Sequence, residues 1–290
     1  MLTTEHTETM AHSPILTGRG NLGVIGAGVM GRTLIKGLFK SGVVERCQIW
    51  AAARTEKTCL EASGELQIPT EVSYNHRVAE AEMLLLCVKP SQLERVLAEV
   101  KESGLREDTL LISILAGVTT ARIESALGMA NPVVRAMPNT PCIVGDGMTV
   151  IAAGRYAASS HMLQARHVFQ AVGQCMPVDE IYCNAITALS GSGPAYVYLI
   201  IEALADAGVR VGLPRDLALN LVTQTMLGAA RMVQQTGRHP AALRDDVTTP
   251  AGCTIGGLLM LEDGKIRSVL ARAIEESTRI VAELGKPKTV

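Results

Sequence analysis

The chain has 290 residues, of which 48% are hydrophobic and 19% are charged, and its formal net charge is −1. This length and apolar content predict a folded protein with two domains and exclude a largely disordered chain. The basic residues are scattered without a long run, which excludes the concentrated cationic face that a nucleic acid or an anionic membrane requires.

Cysteine and histidine usage indicates the compartment. The seven cysteines include no C-x-x-C pair and lie mostly in apolar segments, which is typical of reduced thiols in the cytoplasm. The six histidines form no H-x-x-x-H pattern, so no metal site is expected. No apolar stretch reaches the roughly 18 residues of a membrane span. Residues 1–20 are polar and are expected to form a flexible leader.

Short apolar runs alternate with helical patterns from residue 21 to about residue 178. The apolar runs predict strands over residues 21–26, 47–52, 70–72, 82–89, 109–115 and 132–137. Helical patterns cover residues 29–41, 55–63, 91–103 and 119–127, and a last helix and strand fall within 159–178. This alternation predicts an α/β fold, with a doubly wound, Rossmann-type parallel sheet over residues 21–178 and ligands at the carboxyl ends of its strands.

The remaining residues, 179–290, show helical patterns only. Helices are expected over residues 180–188, 193–208, 214–236, 252–262 and 266–285. Two of these segments, 193–208 and 214–236, are apolar around much of their circumference, and a domain of this size does not bury such helices alone. The pattern predicts an all-helical domain in which helices of two chains interdigitate. An ordinary bundle core within one chain is the alternative.

A glycine pattern directly after the first strand predicts a dinucleotide site. Gly26, Gly28 and Gly31 in "GAGVMG" have G-x-G-x-x-G spacing. This spacing permits a tight turn, close approach of a pyrophosphate and packing of helix on strand. The next helix begins at Val29 and Met30, so its free amides are expected to face the phosphates.

The end of the second strand selects between the two nicotinamide nucleotides. An NAD site uses an acidic side chain there for the ribose hydroxyls, whereas this sequence reads "AAARTEK", with Glu56 as the only acid nearby. Arg54 and the Thr55 hydroxyl suit a 2′-phosphate, because a guanidinium pairs with phosphate bidentately. The sequence therefore favours NADPH, leaves NADH possible, and has an exposed arginine without a ligand as the alternative.

Three loops close the later strands where the nicotinamide end of the cofactor is expected. They carry the sequences "VKP", "AGV" and "MPNTP", and two prolines hold the last loop extended around Asn139. The Asn139 amide is a candidate to bind the nicotinamide carboxamide or the substrate, with a rigid turn as the alternative. The cofactor-binding residues expected in these loops are Val88, Lys89, Pro90, Ala116, Gly117 and Asn139.

Two helices of the second domain begin with small residues. In "LSGSGPAY", Ser190 and the glycines after it precede a proline that suits a first helical position. In "VTTPAGCTI", Gly252, Cys253 and Thr254 expose amides that favour an anion by about 0.3–1 kcal/mol. Thr249 as an N-cap of this helix is the alternative explanation. Two such helix starts beside a dinucleotide fold indicate a substrate site.

Seven motifs together resemble the pyrroline-5-carboxylate reductases. In chain order they are "GAGVMG", "VKP", "MPNTP", "LSGSGPAY", "ADAGVRVGLPR", "LGAARM" and "VTTPAGCTI". The resemblance implies reduction of 1-pyrroline-5-carboxylate to proline by NAD(P)H, the last step of proline biosynthesis. It also implies an N-terminal dinucleotide domain, a C-terminal helical dimerisation domain, and homodimers that assemble further, often into decamers.

The resemblance also implies site residues. The end of the second strand and Asn75 would contact the adenosine phosphate, and Thr249 with residues 252–254 would hold the substrate. Three positions depart from the family pattern. Thr249 stands where a serine is frequent and keeps the hydroxyl, Ala251 stands where a glycine is usual, and Cys253 stands where threonine or alanine is usual. Because Ala251 adds a methyl group close to the expected substrate carboxylate, it bears on substrate affinity and on the size of ring accepted.

Reduction of a ring imine requires hydride at C5 and a hydrogen bond or proton at the ring nitrogen. The loops "MPNTP", "LSGSGP" and "VTTPAGCT" contain no His, Asp or Glu, so Thr254 is the candidate donor to the nitrogen. The proton comes from solvent, or the iminium binds already protonated. A reductase of a six-membered imine and an NADPH-binding sensor without turnover remain alternatives. A β-hydroxyacid dehydrogenase is disfavoured because residues 180–236 lack the lysine expected on its long helix.

Overall fold

A computed structural model describes residues 15–16 and 20–285. The chain divides into two compact units, which we call the sheet unit and the helical unit. The sheet unit comprises Met1–Gly191 and Thr278–Val290, and the helical unit comprises Ser192–Ser277. The domain boundary between residues 178 and 179 stays a prediction, since the compact units divide at residue 191 and the end of the last helix belongs to the sheet unit.

Strands and helices alternate along the described part of the sheet unit. They are β1 (Asn21–Ile25), α1 (Val29–Ser41), β2 (Ile49–Ala52), α2 (Glu56–Leu66), β3 (Thr70–Glu71), α3 (Asn75–Val78), β4 (Ala81–Leu86), α4 (Leu93–Glu102), β5 (Leu110–Ser113), α5 (Thr120–Leu127), β6 (Val133–Met137), β7 (Gly147–Ala153), α6 (Ser159–Gln170), β8 (Gly173–Pro177) and α7 (Cys183–Ile186). A π-helical turn, Thr187–Gly191, follows α7.

The strands form one eight-stranded sheet in the order β3-β2-β1-β4-β5-β6-β7-β8. β1 lies between β2 and β4 and pairs with both in parallel. The strand order therefore reverses at β1, and such a switch point opens a crevice at the carboxyl ends of β1 and β4. The predicted doubly wound, Rossmann-type sheet is confirmed.

One strand of this sheet, β7, is absent from the sequence prediction and makes the sheet mixed at one edge. It runs antiparallel to β6, with Val134 opposite Ala153 and Met137 opposite Val150. The connection 138–146 is too short for a parallel crossover, which takes about a dozen residues or more. The chain therefore turns straight back, and β8 then pairs with β7 in parallel.

Apolar side chains cover both faces of the sheet. Along β1, Val24 belongs to one core cluster and Ile25 to the other, because successive side chains of a strand point to opposite faces. Gly23 leaves room for Trp50 on β2, since a Cβ at position 23 would lie 2.3 Å from the Trp50 ring. This two-sided core fixes the strand ends from which the loops of the crevice begin.

Most of the expected leader, residues 1–20, lies outside the described residues. Ile15 and Leu16 are described, and both are buried in a core cluster of the sheet unit. The Gln164 side chain on α6 donates a hydrogen bond to the Ile15 carbonyl at 3.0 Å. These two residues therefore belong to the fold, which differs from the expectation of a flexible segment over residues 1–20.

The helical unit contains the remaining helices. They are α8 (Gly193–Arg210), α9 (Arg215–Thr236), α10 (Pro240–Asp246), α11 (Cys253–Asp263) and α12 (Ile266–Leu284), the last of which ends in the sheet unit. The sequence prediction misses α10, because its helical pattern spans only a few residues after a glycine-containing loop. His239 caps α10 by accepting a hydrogen bond from the Ala241 amide at 3.2 Å.

The helical unit buries very little surface within one chain. Among its described residues only Ala205 and Ala218 are buried. They lie where α8 packs on α9, and a Cβ at Gly208 would lie 3.0 Å from the Ala218 Cβ. Exposed apolar side chains include Val211, Leu199, Met260, Leu259, Val269 and Leu221. Apolar surface in water costs roughly 25 cal/mol per Å², so this unit requires further protein to cover it.

One helical run of the described residues, Glu180–Arg210, is long and apolar enough to span a membrane by length and composition alone. Its most apolar window has a mean hydropathy of 1.2, and 11% of that window is buried. The expectation that no stretch reaches this length does not hold here, because α7 and α8 follow each other with only a short break. Glu202 and Asp206 lie within the run, and a helix from the core of a water-soluble protein also passes this test of length and composition.

Candidate functional site

The glycine loop at the carboxyl end of β1 has a shape that suits a dinucleotide. Gly26 has φ of +113°, and a Cβ there would lie 2.5 Å from the Cys87 carbonyl oxygen. A Cβ at Gly31 would lie 2.3 Å from the Gly26 carbonyl oxygen. At Gly28, by contrast, no described atom lies within 4 Å of the place a Cβ would occupy. Packing therefore requires the outer two glycines, while the middle one leaves a cradle that fits a pyrophosphate.

The first turn of α1 continues this cradle. Gly28 is the N-cap residue, and no side chain caps the helix. The Val29 side chain is 64% exposed, and Met30 is half-buried. The first amides of the helix thus lack a side-chain acceptor from the described residues, which leaves them and the helix dipole available to an anion.

A cavity of about 410 Å³ opens beside the glycine loop, within the size range of ligand pockets. Its walls are the glycine loop, residues 52–55 after β2, residues 72 and 74, residues 87–89 after β4, and one face of α4. The predicted cofactor residues that line it are Gly26, Gly28, Arg54, Val88 and Lys89. The predicted cofactor residues outside this lining are Val29, Met30, Asn75, Pro90, Ala116, Gly117 and Asn139.

Two cationic side chains of the cavity are available to phosphate. Arg54 is exposed after β2 and Lys89 is exposed after β4, and neither has an ion-pair partner among the residues that the structure describes. Thr55 is the N-cap of α2 and accepts from the Thr58 amide at 3.3 Å, and the two hydroxyl oxygens are 2.9 Å apart. Thr55 therefore caps a helix beside the place where a 2′-phosphate would meet Arg54.

An acidic residue that pairs across the sheet with this strand end is already neutralised. Glu71 ends β3 and pairs in the sheet with Ala52. Its carboxylate accepts from Arg77 at 2.8 and 3.0 Å, and His76 lies 3.6 Å away. The ribose-binding carboxylate of an NAD site must face the nucleotide, so this ion pair favours NADP at the cavity.

The α4 wall of the cavity contains a hydrogen-bonded group that the sequence analysis missed. The Tyr74 hydroxyl donates to Glu99 at 2.9 Å, and the Arg95 guanidinium donates to the other oxygen of the same carboxylate. Burial and the neighbouring Glu99 carboxylate raise the pKa of Tyr74, so its hydroxyl stays protonated. In the sequence, Arg95 and Glu99 form an i,i+4 pair that is typical of a solvated helix surface, which is why they gave no signal.

The Cys87 thiol contributes no charge to the cavity. It lines the wall next to Val88, and burial raises its pKa to about 12. A neutral thiol is compatible with the negative phosphates of a dinucleotide. Among the described residues, no group of three or more His, Cys, Asp or Glu side chains is placed to hold a metal ion.

Asn139 is bound to the protein on both sides of its amide. Its Nδ2 donates to the Ser190 carbonyl at 3.3 Å and contacts the Ser190 hydroxyl at 3.4 Å. Its Oδ1 accepts from the Met148 amide at 2.9 Å. The side chain thus joins the loop after β6 to the start of β7 and to the π-helical turn. This geometry positions Ser190. The predicted contact of the Asn139 amide with the nicotinamide carboxamide or the substrate stays a prediction.

A buried arginine fixes the same segment from the middle of β6. Arg135 is 2% exposed and donates to Asn184 on α7 at 3.0 Å, with Glu180 at 3.5 Å. Glu180 also accepts from the amide and the hydroxyl of Thr120 at 2.8 and 2.9 Å. The segment 180–190 is therefore held against the sheet at two places, by Arg135 and by Asn139.

The glycine of the loop after β5 has a packing role. Gly117 is buried with φ of +75°, and a Cβ at Gly285 would lie 1.9 Å from its carbonyl oxygen. Arg122 on α5 donates to the Gly285 carbonyl at 2.6 Å. Contact with the end of α12 accounts for the glycine at this position, and the predicted cofactor contact of Gly117 stays a prediction.

The start of α11 in the helical unit lacks a side-chain cap. Its N-cap residue is Gly252, not Thr249, and no side chain accepts from its first amides. A Cβ at Gly252 would lie 2.4 Å from the Thr249 hydroxyl oxygen, so only glycine lets Thr249 keep this position. The Thr249 N-cap that would explain the motif without a ligand is therefore not formed.

Three further residues define this helix start. Ala251 has φ of +56°, a left-handed conformation that costs a residue with a Cβ roughly 1–2 kcal/mol. The glycine usual at this position would relieve that strain. Cys253 is exposed and Thr254 is half-buried in the first turn. Ser190 belongs to the sheet unit and these residues to the helical unit.

Comparison with sequence families assigns both parts of the chain. Residues 180–284 match the family model described as pyrroline-5-carboxylate reductase dimerisation. Residues 21–117 match the model described as NADP oxidoreductase, coenzyme F420-dependent. The dimerisation match includes the apolar run Glu180–Arg210, so its exposed side chains belong to a region that pairs with a second chain.

Relatives and solved structures match over nearly the full chain. The pyrroline-5-carboxylate reductase of Synechocystis sp. is 41% identical over 268 residues, which cover 91% of this chain and 98% of the relative. The structure of a pyrroline-5-carboxylate reductase from Coxiella burnetii is 35% identical with a TM-score of 0.85, covering 93% of this chain and all of that chain. The Plasmodium falciparum pyrroline carboxylate reductase with NADP bound is 30% identical with a TM-score of 0.83, covering 92% of this chain and 98% of that chain.

Proposed function

The chain belongs to the pyrroline-5-carboxylate reductase family, and we propose which of its residues serve the reaction of that family. It reduces 1-pyrroline-5-carboxylate to proline with NADPH, and NADH remains possible. The substrate is a five-membered cyclic imine with a carboxylate. Its reduction needs an anion site, a hydrogen bond to the ring nitrogen, and a cofactor held beside C5.

The cofactor supplies the hydride. In the proposed arrangement, the open backbone at Gly28 and the first amides of α1 hold the pyrophosphate, and Val29, Met30 and the loops that follow β4 and β5 lie along the path to the nicotinamide. Arg54 binds the 2′-phosphate beside Thr55. The absence of an ion-pair partner for Arg54 among the described residues supports this role, as does the neutralised Glu71.

The observation that carries the substrate site is the uncapped start of α11. Gly252 is its N-cap without a side-chain hydrogen bond, and the Gly252 amide itself donates to the Thr249 carbonyl at 3.1 Å. The amides of Cys253 and Thr254 are therefore the ones proposed to bind the substrate carboxylate, and Gly252 shapes the turn that presents them. Thr249, whose hydroxyl position depends on Gly252, contributes a hydroxyl group at this helix start. Ser190, which Asn139 anchors, is a further proposed substrate-binding residue.

Thr254 is the proposed catalytic residue. Its hydroxyl donates a hydrogen bond to the ring nitrogen, and solvent supplies the proton that the product amine retains. No stronger acid lies in the three loops of the site, so most of the rate comes from holding the imine and the hydride donor together, an effect worth about 7–11 kcal/mol at its upper end.

The protein is a homo-oligomer, and its dimerisation region is the apolar helical unit. We propose that its dimers assemble into a decamer and that it works in the cytoplasm, where its unpaired cysteines stay reduced. Light scattering after size exclusion measures the mass directly, and a mass of ten chains is expected. A stable dimer at micromolar concentration would overturn the decamer and leave the reaction untouched.

The proposed mechanism is tested by replacing Thr254 with alanine and, as the matched control, with serine. Thr254→Ala should lower kcat by about 10²–10⁴-fold, the usual contribution of a positioned donor. NADPH affinity should stay within about twofold, because Thr254 does not line the nucleotide cavity. Thr254→Ser keeps the hydroxyl and should keep most of the activity. An unchanged kcat in the alanine variant would remove Thr254 from the mechanism.

A further inference from the structure

The cavity beside the glycine loop contains three cationic side chains, and one differs from the other two. Arg54 and Lys89 have no ion-pair partner among the described residues. Arg95, on α4, is paired with Glu99. A phosphate gains most from an unpaired cation, because a carboxylate next to a guanidinium repels the phosphate charge. Arg95 is therefore unsuited to binding a phosphate.

A chain of contacts holds Arg95 in one orientation. Trp50 is fixed by a hydrogen bond from its Nε1 to Asn21 at 2.8 Å, and the Tyr74 ring stacks on Trp50 with centroids 5.9 Å apart and an interplanar angle of 22°. The Tyr74 hydroxyl then holds Glu99 at 2.9 Å, and Glu99 holds Arg95. A flexible side chain is thereby ordered at a cavity wall before any ligand binds.

We propose that Arg95 is an adenine-binding residue of the cofactor site, on whose guanidinium plane the adenine ring stacks. The glycine cradle and Arg54 account for the phosphates, which leaves the wall formed by Val72, Tyr74 and the α4 face for the base. Arg95 lines the cavity, and 57% of its side chain remains exposed, so the pairing with Glu99 leaves part of the side chain open to a ligand. A guanidinium stacks well on a flat π-system, and a carboxylate that binds its edge leaves its plane free to stack.

This role makes a distinctive prediction about ligands. Adenine is common to NADPH, NADH, 2′,5′-ADP and 5′-AMP, whereas the 2′-phosphate is present only in NADPH and 2′,5′-ADP. A stacking residue should affect all four ligands by a similar factor. A phosphate ligand such as Arg54 should affect only the two that carry the 2′-phosphate.

The test is calorimetric titration of these four nucleotides into the full-length oligomer and its variants. Arg95→Ala should weaken all four by a similar factor of about 2- to 30-fold. Tyr74→Phe removes only the hydroxyl that holds Glu99. It should also weaken the binding of all four nucleotides by one similar factor, and this factor should be smaller than that of Arg95→Ala. Arg54→Ala should weaken only NADPH and 2′,5′-ADP, by about tenfold or more. Arg106→Ala is the matched control, since Arg106 pairs with Asp108 outside the cavity.

Two outcomes would overturn the proposal. If Arg95→Ala weakens only the ligands with a 2′-phosphate, Arg95 is a phosphate ligand. If it weakens none of them more than Arg106→Ala does, Arg95 has no role in recognition. The inference rests on the use of a nicotinamide nucleotide and not on the imine, so the titrations decide it even if the proposed substrate residues prove wrong.

Discussion

Replacement of Asn139 by aspartate should impair the substrate site while leaving nucleotide binding intact. The change keeps the Oδ1 that accepts from the Met148 amide at 2.9 Å. It replaces Nδ2, which lies 3.3 Å from the Ser190 carbonyl oxygen and 3.4 Å from the Ser190 hydroxyl oxygen, with a carboxylate oxygen. Two lost hydrogen bonds are worth about 1–3 kcal/mol together. If that energy holds Ser190 in place, kcat/KM for the imine should fall by a factor of about 5–150.

The matched control is the same substitution at Asn131, at the other end of β6. Its Nδ2 donates to the Arg106 and Thr109 carbonyls at 2.6 and 3.2 Å, so Asn131→Asp also loses two donor bonds. Asn131 is fully buried and Asn139 only partly, so Asn131→Asp should lose at least as much unfolding free energy in urea as Asn139→Asp, whereas only Asn139→Asp should lose kcat/KM. NADPH affinity, measured by titration, should be unchanged in both. Equal activity of the two variants would refute the positioning role, and a selective loss of NADPH affinity in Asn139→Asp would favour direct contact with the cofactor instead.

Two further substitutions test the packing and the helix start. Gly285→Ala places a Cβ 1.9 Å from a backbone oxygen of the β5–α5 loop, so it should lower the unfolding free energy by about 1–3 kcal/mol. Gly64→Ala, at a helical glycine with open space around it, should raise the unfolding free energy by up to about 1 kcal/mol. Equal changes in the two urea midpoints would contradict the contact between Gly285 and the loop. In a Cys47→Ser background, Cys253 should react first with a thiol reagent because it is exposed at the proposed anion site. Cys175 should react slowly, because it is buried and burial raises its pKa to about 12. Saturating proline should slow the reaction of Cys253, and a rate unaffected by proline would place Cys253 away from the substrate.

The sequence was sufficient to predict the sheet wherever apolar runs alternate with helices. β1, α1 and the doubly wound arrangement of parallel strands follow from that alternation and from the glycine spacing. β7 could not be predicted in the same way, because its antiparallel direction depends on the length of the connection and not on its own residues. The short helices α3 and α10 were missed because a segment of one or two turns has too few residues to show a helical period.

The glycine loop and Arg54 were found from sequence because their chemistry lies in local spacing. The α4 wall was not, since Tyr74 and Glu99 meet through a hydrogen bond between residues distant in the chain. Gly117 also has a role that its neighbours in sequence do not show, because its carbonyl oxygen packs against Gly285 at the end of the last helix. Tertiary contacts of this kind leave no trace in local patterns.

The most direct test of the central claim is the rate of NADPH oxidation with 1-pyrroline-5-carboxylate, measured beside the six-membered imine and beside NADH. We predict the highest kcat/KM for the five-membered ring with NADPH. A preference for NADH would contradict the role of Arg54 and leave the reductase activity standing. A higher kcat/KM for the six-membered imine, or no oxidation of either imine despite tight NADPH binding, would contradict the account of the substrate site.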